Sequence, residues 1–390
     1  MQLILAPMQG LVDDVMRDLL TRIGGYDECV SEFVRITHTV HSRSTWLKYI
    51  PEIANGNKTP AGTPCTVQLL GSDADNMAIN ALETVHFGAD KIDLNFGCPA
   101  PTVNKHKNSA VLLKEPDLIH HIVKTLRQRL PEHIPLTGKM RLGYEDKSLA
   151  LECAAAIAEG GACALTVHGR TKVEGYEPPA HWEWIRKIRE HVAIPVTANG
   201  DVFSLKDYIG IKEMTGCNSV MLGRGAVIRP DLARQIKQYE NGETVRDTDF
   251  AEVSVWINQF FHLCLAKEAN NKYPVARLKQ WLGMMKKEFG EAQELFNALS
   301  PPALQLVGTS APVSTGLAPS AALMVTPLST ASSPSRYVPL ASSMVSPLPA
   351  ALRAAPMVWK GLAAVPSPES APPSAETWMV LPSAATASGA

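Results

Sequence analysis

Short apolar runs alternate with amphipathic stretches along roughly the first 240 residues of the chain. The apolar runs are rich in Val, Ile and Leu and have the length of buried strands. They cover residues 3–7, 28–33, 64–70, 91–95, 135–142, 164–168, 194–199 and 219–223. Helical spacing of apolar residues lies between them, for example over 117–130, 149–159, 182–191 and 231–239. Eight strand-then-helix units predict a (β/α)8 TIM barrel, an α/β fold. The alternative, a doubly wound sheet, needs an early dinucleotide fingerprint, and no GxGxxG motif occurs.

The pattern changes twice after the predicted barrel. From residue 249 it is helical over residues 253–267, 274–289 and 291–299, which predicts a small all-helical domain at 241–300 behind a barrel at 1–240. After Ser300 the chain is Ala, Pro, Ser, Thr and Val without a period, which predicts a disordered low-complexity tail over 301–390. We hypothesise that a shifted reading frame encodes this tail and truncates the helical domain. A natural Pro/Ala-rich tail is the alternative.

Composition and charge exclude several classes of protein. The chain has 390 residues, of which 45% are hydrophobic, and this is enough for two domains. Its formal net charge is -1, so any surface that binds nucleic acid must be local. The seven cysteines form no CxxC pair, which argues against a zinc site and fits a reducing compartment. The sequence also shows no signal peptide and no apolar stretch of the ~20 residues that span a membrane. We therefore expect a cytoplasmic protein with no metal and no membrane partner.

Residues with catalytic chemistry collect where the predicted strands end. In a TIM barrel the loops that follow the strands form the active face. The fourth strand leads into Asn95-Phe96-Gly97-Cys98-Pro99, and the fifth carries Lys139 and Arg141 on one face. A single cysteine in a turn is more often structural, but the polar residues at the later strand ends favour a functional role for Cys98.

The last two strand ends have the composition of a phosphate-binding site. They are Asn199-Gly200-Asp201 and Gly223-Arg224-Gly225, in which glycine permits close backbone approach and Arg224 adds a charged donor. Lys139 lies in an apolar strand, so it needs an anionic ligand or acts as a Schiff-base lysine. His168 fits a ligand-facing hydrogen bonder, whereas Gln68 could contact either a heterocycle or a neighbouring loop.

At these residues the sequence resembles the tRNA-dihydrouridine synthases. The resemblance extends from residue 1 to about residue 300. The matching motifs are Ala6-Pro7-Met8, Ser31-Glu32-Phe33, Val67-Gln68-Leu69, Asn95-Phe96-Gly97-Cys98-Pro99, Lys139-Met140-Arg141, His168-Gly169-Arg170-Thr171, Ala198-Asn199-Gly200-Asp201 and Gly223-Arg224. Two segments, Glu32-Phe33-Val34-Arg35 and Arg277-Leu278-Lys279-Gln280-Trp281, are most similar to the bacterial C-type branch, whose substrate is the uridine at tRNA position 16.

The resemblance implies a flavoenzyme that reduces a tRNA uridine to 5,6-dihydrouridine, with FMN as cofactor and NADPH or NADH as reductant. Hydride from the reduced flavin would reach C6 of uracil, and Cys98 would protonate C5 as a general acid. A thiol with an ordinary pKa of about 8.5 holds its proton at neutral pH, as an acid must. The uridine would have to be flipped out of the folded RNA. The implied cofactor-binding residues are Pro7, Met8, Gln9, Gln68, Lys139, His168, Asn199, Gly200, Asp201, Gly223 and Arg224.

The resemblance also implies contacts with tRNA. The implied residues are Arg35, Asn95, Arg141, Tyr176, Arg277 and Lys279. Charges on a helix usually mean a solvated face, but Arg277 and Lys279 lie where the family recognises tRNA and could bind its phosphates. Trp281, on the same predicted helix, fits a core position better than a base-stacking one. We further expect the protein to be a monomer.

One stretch departs from the family pattern. Where the family usually has a glycine-rich run, this chain has Lys107-Asn108-Ser109. Since glycine permits backbone conformations that Lys and Ser do not, the Cys98 loop is expected to close differently. Two alternatives to an active dihydrouridine synthase stay open. One is a tRNA-binding homologue that has lost turnover, and the other is a different phosphate-binding barrel with Lys139 as a Schiff base.

Overall fold

The chain forms a closed parallel barrel followed by a group of helices. The computed structural model describes residues 1–100, 104, 108–268 and 272–299. The strands are β1 (Gln2–Leu5), β2 (Glu28–Val30), β3 (Val34–Arg35), β4 (Cys65–Leu70), β5 (Ile92–Phe96), β6 (Leu136–Arg141), β7 (Ala164–His168), β8 (Val196–Asn199) and β9 (Ser219–Leu222). The helices are α1 (Asp14–Ile23), α2 (Arg43–Tyr49), α3 (Ala74–His86), α4 (Pro116–Arg129), α5 (Ala150–Glu159), α6 (Trp182–His191), α7 (Leu205–Thr215), α8 (Arg224–Ile228), α9 (Leu232–Glu240), α10 (Phe250–Lys267), α11 (Lys272–Met285) and α12 (Gly290–Ala298). Short 3-10 helices cover Pro51–Asn55 and Ala110–Lys114.

The barrel closes through β1, which pairs in parallel with β2 on one side and with β9 on the other. Around the ring, β2 pairs with β4, and the short β3 continues along β4 where β2 ends. The second strand, predicted at 28–33, therefore ends at Val30, and residues 31–33 separate it from β3. Counted together, β2 and β3 occupy one of eight positions in the closed barrel. The predicted TIM barrel is confirmed.

The strands are buried on both faces, because the barrel interior covers one face and the outer helices cover the other. All residues of β4 are buried, for example. The outer helices bury a single apolar face, which in α6 contains Ile185 and Ile188. Asp13 and Asp73 begin α1 and α3 by accepting hydrogen bonds from the backbone N–H groups of Met16 and Asn76.

The C-terminal helices pack against the first and last units of the barrel, where α10 contacts α1 and α11 contacts α8. Trp281 on α11 is fully buried, and its Nε1 donates to the Val227 carbonyl at 3.0 Å. Its ring meets that of Phe260 edge-on, with centroids 5.0 Å apart. The prediction that Trp281 is a core residue is confirmed.

Some predictions fall beyond what the structure describes. The tail at 301–390 and Lys107 lie outside the described residues, and the domain boundaries at 240 and 300 stay predictions. Among the helices that are described, none has the length and apolar character needed to cross a membrane. The described residues also contain no group of three or more His, Cys, Asp or Glu side chains that could hold a metal ion. The seven cysteines are all free thiols.

Candidate active site

A cavity of about 610 Å³ lies at the C-terminal end of the barrel. Its wall is built by residues at the ends of most strands and by Met284 of α11. The predicted site residues in this wall are Pro7, Met8, Gln9, Asn95, Cys98, Lys139, Arg141, His168, Tyr176, Asn199, Gly200, Asp201, Gly223 and Arg224. The fold thus brings together residues that are far apart in sequence, as a barrel with its site at the strand ends requires.

Gln68 does not line the cavity. Its side chain is fully buried behind the wall, where Nε2 donates to Asp93 Oδ2 at 2.7 Å and Oε1 accepts a hydrogen bond from Asn95 Nδ2 at 2.9 Å. Of the two roles that the sequence left open for Gln68, the structure shows a contact inside the protein. Its predicted contact with the cofactor finds no support in this position.

The cavity wall also does not include Arg35, Arg277 or Lys279. The side chain of Arg277 is hydrogen-bonded within the protein. The Arg277 guanidinium is buried and donates to the Leu11 carbonyl and to Asp13 Oδ1, both at 2.9 Å. It therefore joins α11 to the loop that follows β1. Arg35 and Lys279 are half-exposed. The tRNA contacts of these three residues stay predictions.

Cys98 is half-buried in a loop held by side-chain hydrogen bonds. Its backbone N–H donates to Ser109 Oγ at 2.7 Å, and its carbonyl accepts from Asn104 Nδ2 at 3.0 Å. Burial raises the pKa of the Cys98 thiol, although nearby Arg141 and Lys139 act in the opposite direction. The thiol is therefore protonated at neutral pH.

Ser109 adopts a backbone conformation that favours glycine. Its φ of 83° and ψ of -122° lie in a region where a side chain crowds the backbone. The sequence pattern identified this position as a departure from glycine, but it did not predict that the Ser109 hydroxyl would bind the Cys98 backbone.

Lys139 gives the cavity a positive charge. Its Nζ donates to Asn199 Oδ1 at 3.2 Å. Burial, together with the charge of Arg141, lowers the pKa of Lys139 to about 8, while the Asp93 carboxylate acts in the opposite direction. An anionic ligand in the cavity would relieve the cost of holding these two cations close together.

His168 is neutral at physiological pH. Burial is the largest cause that lowers its pKa well below the ordinary value, and the charges of Arg141, Lys139, Arg170 and Arg224 lower it further. Arg170 Nη1 donates to His168 Nε2 at 3.4 Å, so the neutral imidazole carries its proton on Nδ1 and can donate that N–H to a ligand.

The ends of β8 and β9 place glycines beside charged side chains. Gly200 has a φ of 127°, and a Cβ there would lie 3.1 Å from His168 Cδ2, so only glycine fits without displacing a neighbour. At Gly223 a Cβ would make only ordinary contacts, at 3.9 Å, with the side chains of Ala6 and Met8. Arg224 Nη2 donates to Asp201 Oδ1 at 3.2 Å. This arrangement suits a phosphate or another anion.

Tyr176 lies at the mouth of the cavity between two arginines. The guanidinium carbons of Arg224 and Arg141 are 4.6 Å and 5.2 Å from its ring centroid, and 52% of the residue is exposed. Such a partly exposed ring beside cations can stack on a nucleic-acid base.

Sequence reasoning missed the apolar part of the wall. These residues include Leu11, Phe33, Val202, Phe203, Met221 and Met284. Apolar positions at strand ends look the same as core positions in a sequence. Met284 comes from α11, and only tertiary packing places it beside the barrel. No signal in the sequence could have identified it.

Comparison with known proteins adds independent information. A family model described as "Dihydrouridine synthase (Dus)" matches residues 4–303. A protein of Neisseria meningitidis serogroup A / serotype 4A, named tRNA-dihydrouridine(16) synthase, is 86% identical over 296 residues, which cover 76% of this chain and 89% of that protein. Proteins of the same name from Aquipseudomonas alcaligenes and Pseudomonas syringae pv. tomato are 52% and 50% identical, over 76% and 77% of this chain and 94% of each relative.

Proposed function

The chain belongs to the dihydrouridine synthase family, and we propose that it reduces the C5=C6 bond of uridine 16 in tRNA to give 5,6-dihydrouridine. The observation that carries this proposal is the pairing, in one cavity wall, of the protonated thiol of Cys98 with the amide of Asn95. A protonated thiol can deliver a proton to carbon, and an amide can bond to a pyrimidine edge. The name shared by the relatives supports position 16 as the target.

We propose flavin mononucleotide as the cofactor and NADPH or NADH as the reductant, and the charged residues of the cavity wall support this proposal. The charge of Arg224 suits its phosphate, and the charge of Lys139 suits a carbonyl oxygen of its ring. When bound, the reduced flavin supplies the hydride that reaches C6 of the uracil. The residues proposed to hold it are Pro7, Met8, Gln9, Lys139, His168, Asn199, Gly200, Asp201, Gly223 and Arg224.

Cys98 is proposed as the general acid. As hydride reaches C6, negative charge develops at C5 and on the neighbouring carbonyl oxygen. The S–H bond of Cys98 breaks, a C–H bond forms at C5, and the resulting thiolate takes its proton back from water. The raised pKa of the thiol favours this role over that of a nucleophile, which would require the thiolate.

We propose that tRNA binds across the mouth of the cavity. Tyr176 offers an exposed ring between two arginines, and Asn95 and Arg141 lie in the wall beside Cys98. Arg35 and Lys279, which are half-exposed, are proposed to contact the RNA outside the cavity, where Lys and Arg position phosphates.

The test begins with the visible spectrum of the purified protein. We expect flavin absorbance, bleaching on addition of NADPH, and return of the colour when unmodified tRNA is added, with dihydrouridine mapped to position 16. Cys98→Ala should keep the flavin and its reduction by NADPH but form no product. Modification at another position would contradict the proposed target. A colourless protein whose adduct with a carbonyl compound is trapped by borohydride reduction would favour Lys139 as a Schiff base.

A tRNA-binding homologue with impaired turnover is the second candidate. The observation that favours it is the glycine-type conformation of Ser109 beside Cys98. If bound flavin is reduced by NADPH but is never reoxidised by tRNA that demonstrably binds, this second function is correct.

A further inference from the structure

A continuous chain of hydrogen bonds runs from the barrel interior to Cys98. Gln68 Nε2 donates to the buried Asp93 carboxylate at 2.7 Å, and Asn95 Nδ2 donates to Gln68 Oε1 at 2.9 Å. Ser109 Oγ then donates to Asn95 Oδ1 at 3.2 Å and accepts the Cys98 N–H at 2.7 Å. Ser109 is therefore the link between the side chains behind the cavity and the loop that carries the thiol.

This chain fixes the orientation of the Asn95 carboxamide. Its Oδ1 accepts hydrogen bonds from the Gly97 backbone N–H at 2.9 Å and from Ser109, so both of its lone pairs are used within the protein. Its Nδ2 donates one hydrogen to Gln68 and keeps the second. Because Asn95 lines the cavity, the group that it can offer a ligand is an N–H donor, which suits a pyrimidine carbonyl.

The backbone at Ser109 supports a specific role for its hydroxyl. Ser109 is fully buried and has a φ of 83°, a value that residues other than glycine rarely adopt. Its hydroxyl makes two hydrogen bonds from this conformation, one to each residue that faces the proposed uracil. A buried side chain in a strained conformation persists only when its surroundings hold it there.

We propose that Ser109 is a positioning residue for proton transfer, because its hydroxyl ties the Cys98 backbone to the Asn95 carboxamide. The thiol and the amide donor are thereby held in one fixed arrangement. This inference rests on the proposed function. Ser109 does not exchange a proton with the substrate. The proton passes from Cys98 to C5 of the uracil. Ser109 only fixes the positions of the thiol and the amide.

The activity test separates the two half-reactions of the flavin. Ser109→Ala removes both hydrogen bonds, and we expect it to slow reoxidation of the reduced flavin by tRNA about 10- to 100-fold in a single turnover, the order of loss that a misplaced group produces. Flavin content and the rate of reduction by NADPH should match those of the unaltered protein, because neither needs Cys98. Ser109→Gly relieves the backbone strain but lacks the hydroxyl, so it should fold at least as stably as Ser109→Ala and still be slow. Equal reoxidation rates in Ser109→Ala and the unaltered protein would overturn the inference.

Asn108→Ala is the matched control. Asn108 is the adjacent residue and is also buried, but its Oδ1 accepts a hydrogen bond from Ser72 Oγ at 2.6 Å, away from Cys98. We expect this variant to change the reoxidation rate less than about twofold, since neither Asn108 nor Ser72 lines the cavity. An equal loss in Asn108→Ala and Ser109→Ala would show a general loop defect and would overturn the specific role of Ser109.

A second measurement does not depend on activity. Alkylation of Cys98 by iodoacetamide, followed by mass spectrometry, reports how the loop holds the thiol. We expect Ser109→Ala to change the alkylation rate at Cys98 several-fold, and Asn108→Ala to leave it unchanged. If the unaltered protein made no dihydrouridine, the proposed function would fail, but this comparison would still decide whether Ser109 positions Cys98. Equal alkylation in all three proteins would contradict it.

Discussion

At the scale of the residue, the protonation of Cys98 decides what its thiol can do. Burial raises the pKa of this thiol above its ordinary value. A general acid works only while it holds its proton, so activity should be lost as the pH rises through the raised pKa and not before. We expect the rate of flavin reoxidation by tRNA to be constant around neutral pH and to fall above pH 9, measured by stopped-flow absorbance. A rate that increases from neutral to alkaline pH would identify the thiolate as the reactive form.

Lys139 makes a separate prediction about cofactor binding. In the cofactor-free protein its pKa is lowered from 10.5 to about 8, so Lys139 loses its positive charge as the pH rises above 8. An electron-rich or anionic ligand stabilises the charged form and raises this pKa. FMN affinity should therefore be full below pH 8 and decrease above it. Fluorescence titration of the apoprotein with FMN at several pH values measures this. Lys139→Met should bind FMN more weakly, and its affinity should not fall above pH 8. If the affinity of Lys139→Met still fell above pH 8 as in the unaltered protein, Lys139 would not be the cause of the pH dependence.

Of the residues that the sequence predicts to lie in the site, those that line the cavity differ from Gln68, which does not, in one physical respect. Lys139, His168 and Asn199 were predicted from their position at strand ends, and the barrel alone brings them into the cavity. Gln68 has a similar position, but Asp93 on the neighbouring strand binds its amide and keeps it behind the wall. A partner of this kind depends on the register between strands, which the sequence pattern does not contain.

At the scale of the element, the joint between α11 and the loop after β1 can be tested at Arg277. Arg277→Ala removes hydrogen bonds to the Leu11 carbonyl and to Asp13 and leaves a partly buried carboxylate less well paired. We expect it to lower the free energy of unfolding by about 2–3 kcal/mol, measured by urea denaturation.

Lys279 is the matched comparison for Arg277 because it is half-exposed on the same helix. Lys279→Ala should change stability by less than about 0.5 kcal/mol. It should weaken tRNA binding and reduce the dependence of that binding on salt, because one phosphate contact is lost. If Arg277→Ala weakened tRNA binding with no change in stability, Arg277 would be an RNA contact and not a joint between elements.

The elements themselves were largely predictable, and their exceptions have local causes. The predicted strand at 164–168 agrees with β7, and the predicted helix at 182–191 agrees with α6, because each has a clear period and a clear end. The predicted strand at 28–33 stops at Val30 and resumes as β3, which leaves Phe33 in the cavity wall. Ser31 and Glu32 are the polar residues at this break, but alternating polar and apolar residues also occur within strands, so the sequence pattern alone did not fix where β2 ends.

At the scale of the whole molecule, the family match ends at residue 303 and the remaining residues have a different composition. We propose that residues 301–390 come from a shifted reading frame and stand in place of a further helix of the tRNA-binding region. Reading the coding DNA beyond codon 300 in the other two frames should then reveal a helical pattern of apolar residues. No such pattern in either frame would support a natural Pro/Ala-rich tail.

Restoring that segment gives the corresponding functional test. The barrel already contains the proposed flavin and uridine sites, so a chain whose tail is replaced by the segment from the other frame should keep the same FMN content and the same rate of reduction by NADPH. Its affinity for tRNA should increase, and should become more dependent on salt if the restored helix carries Lys or Arg side chains that contact phosphates. Filter binding at several salt concentrations measures both. A segment that altered flavin reduction but not tRNA affinity would place the effect of residues 301–390 on the barrel instead of on RNA recognition.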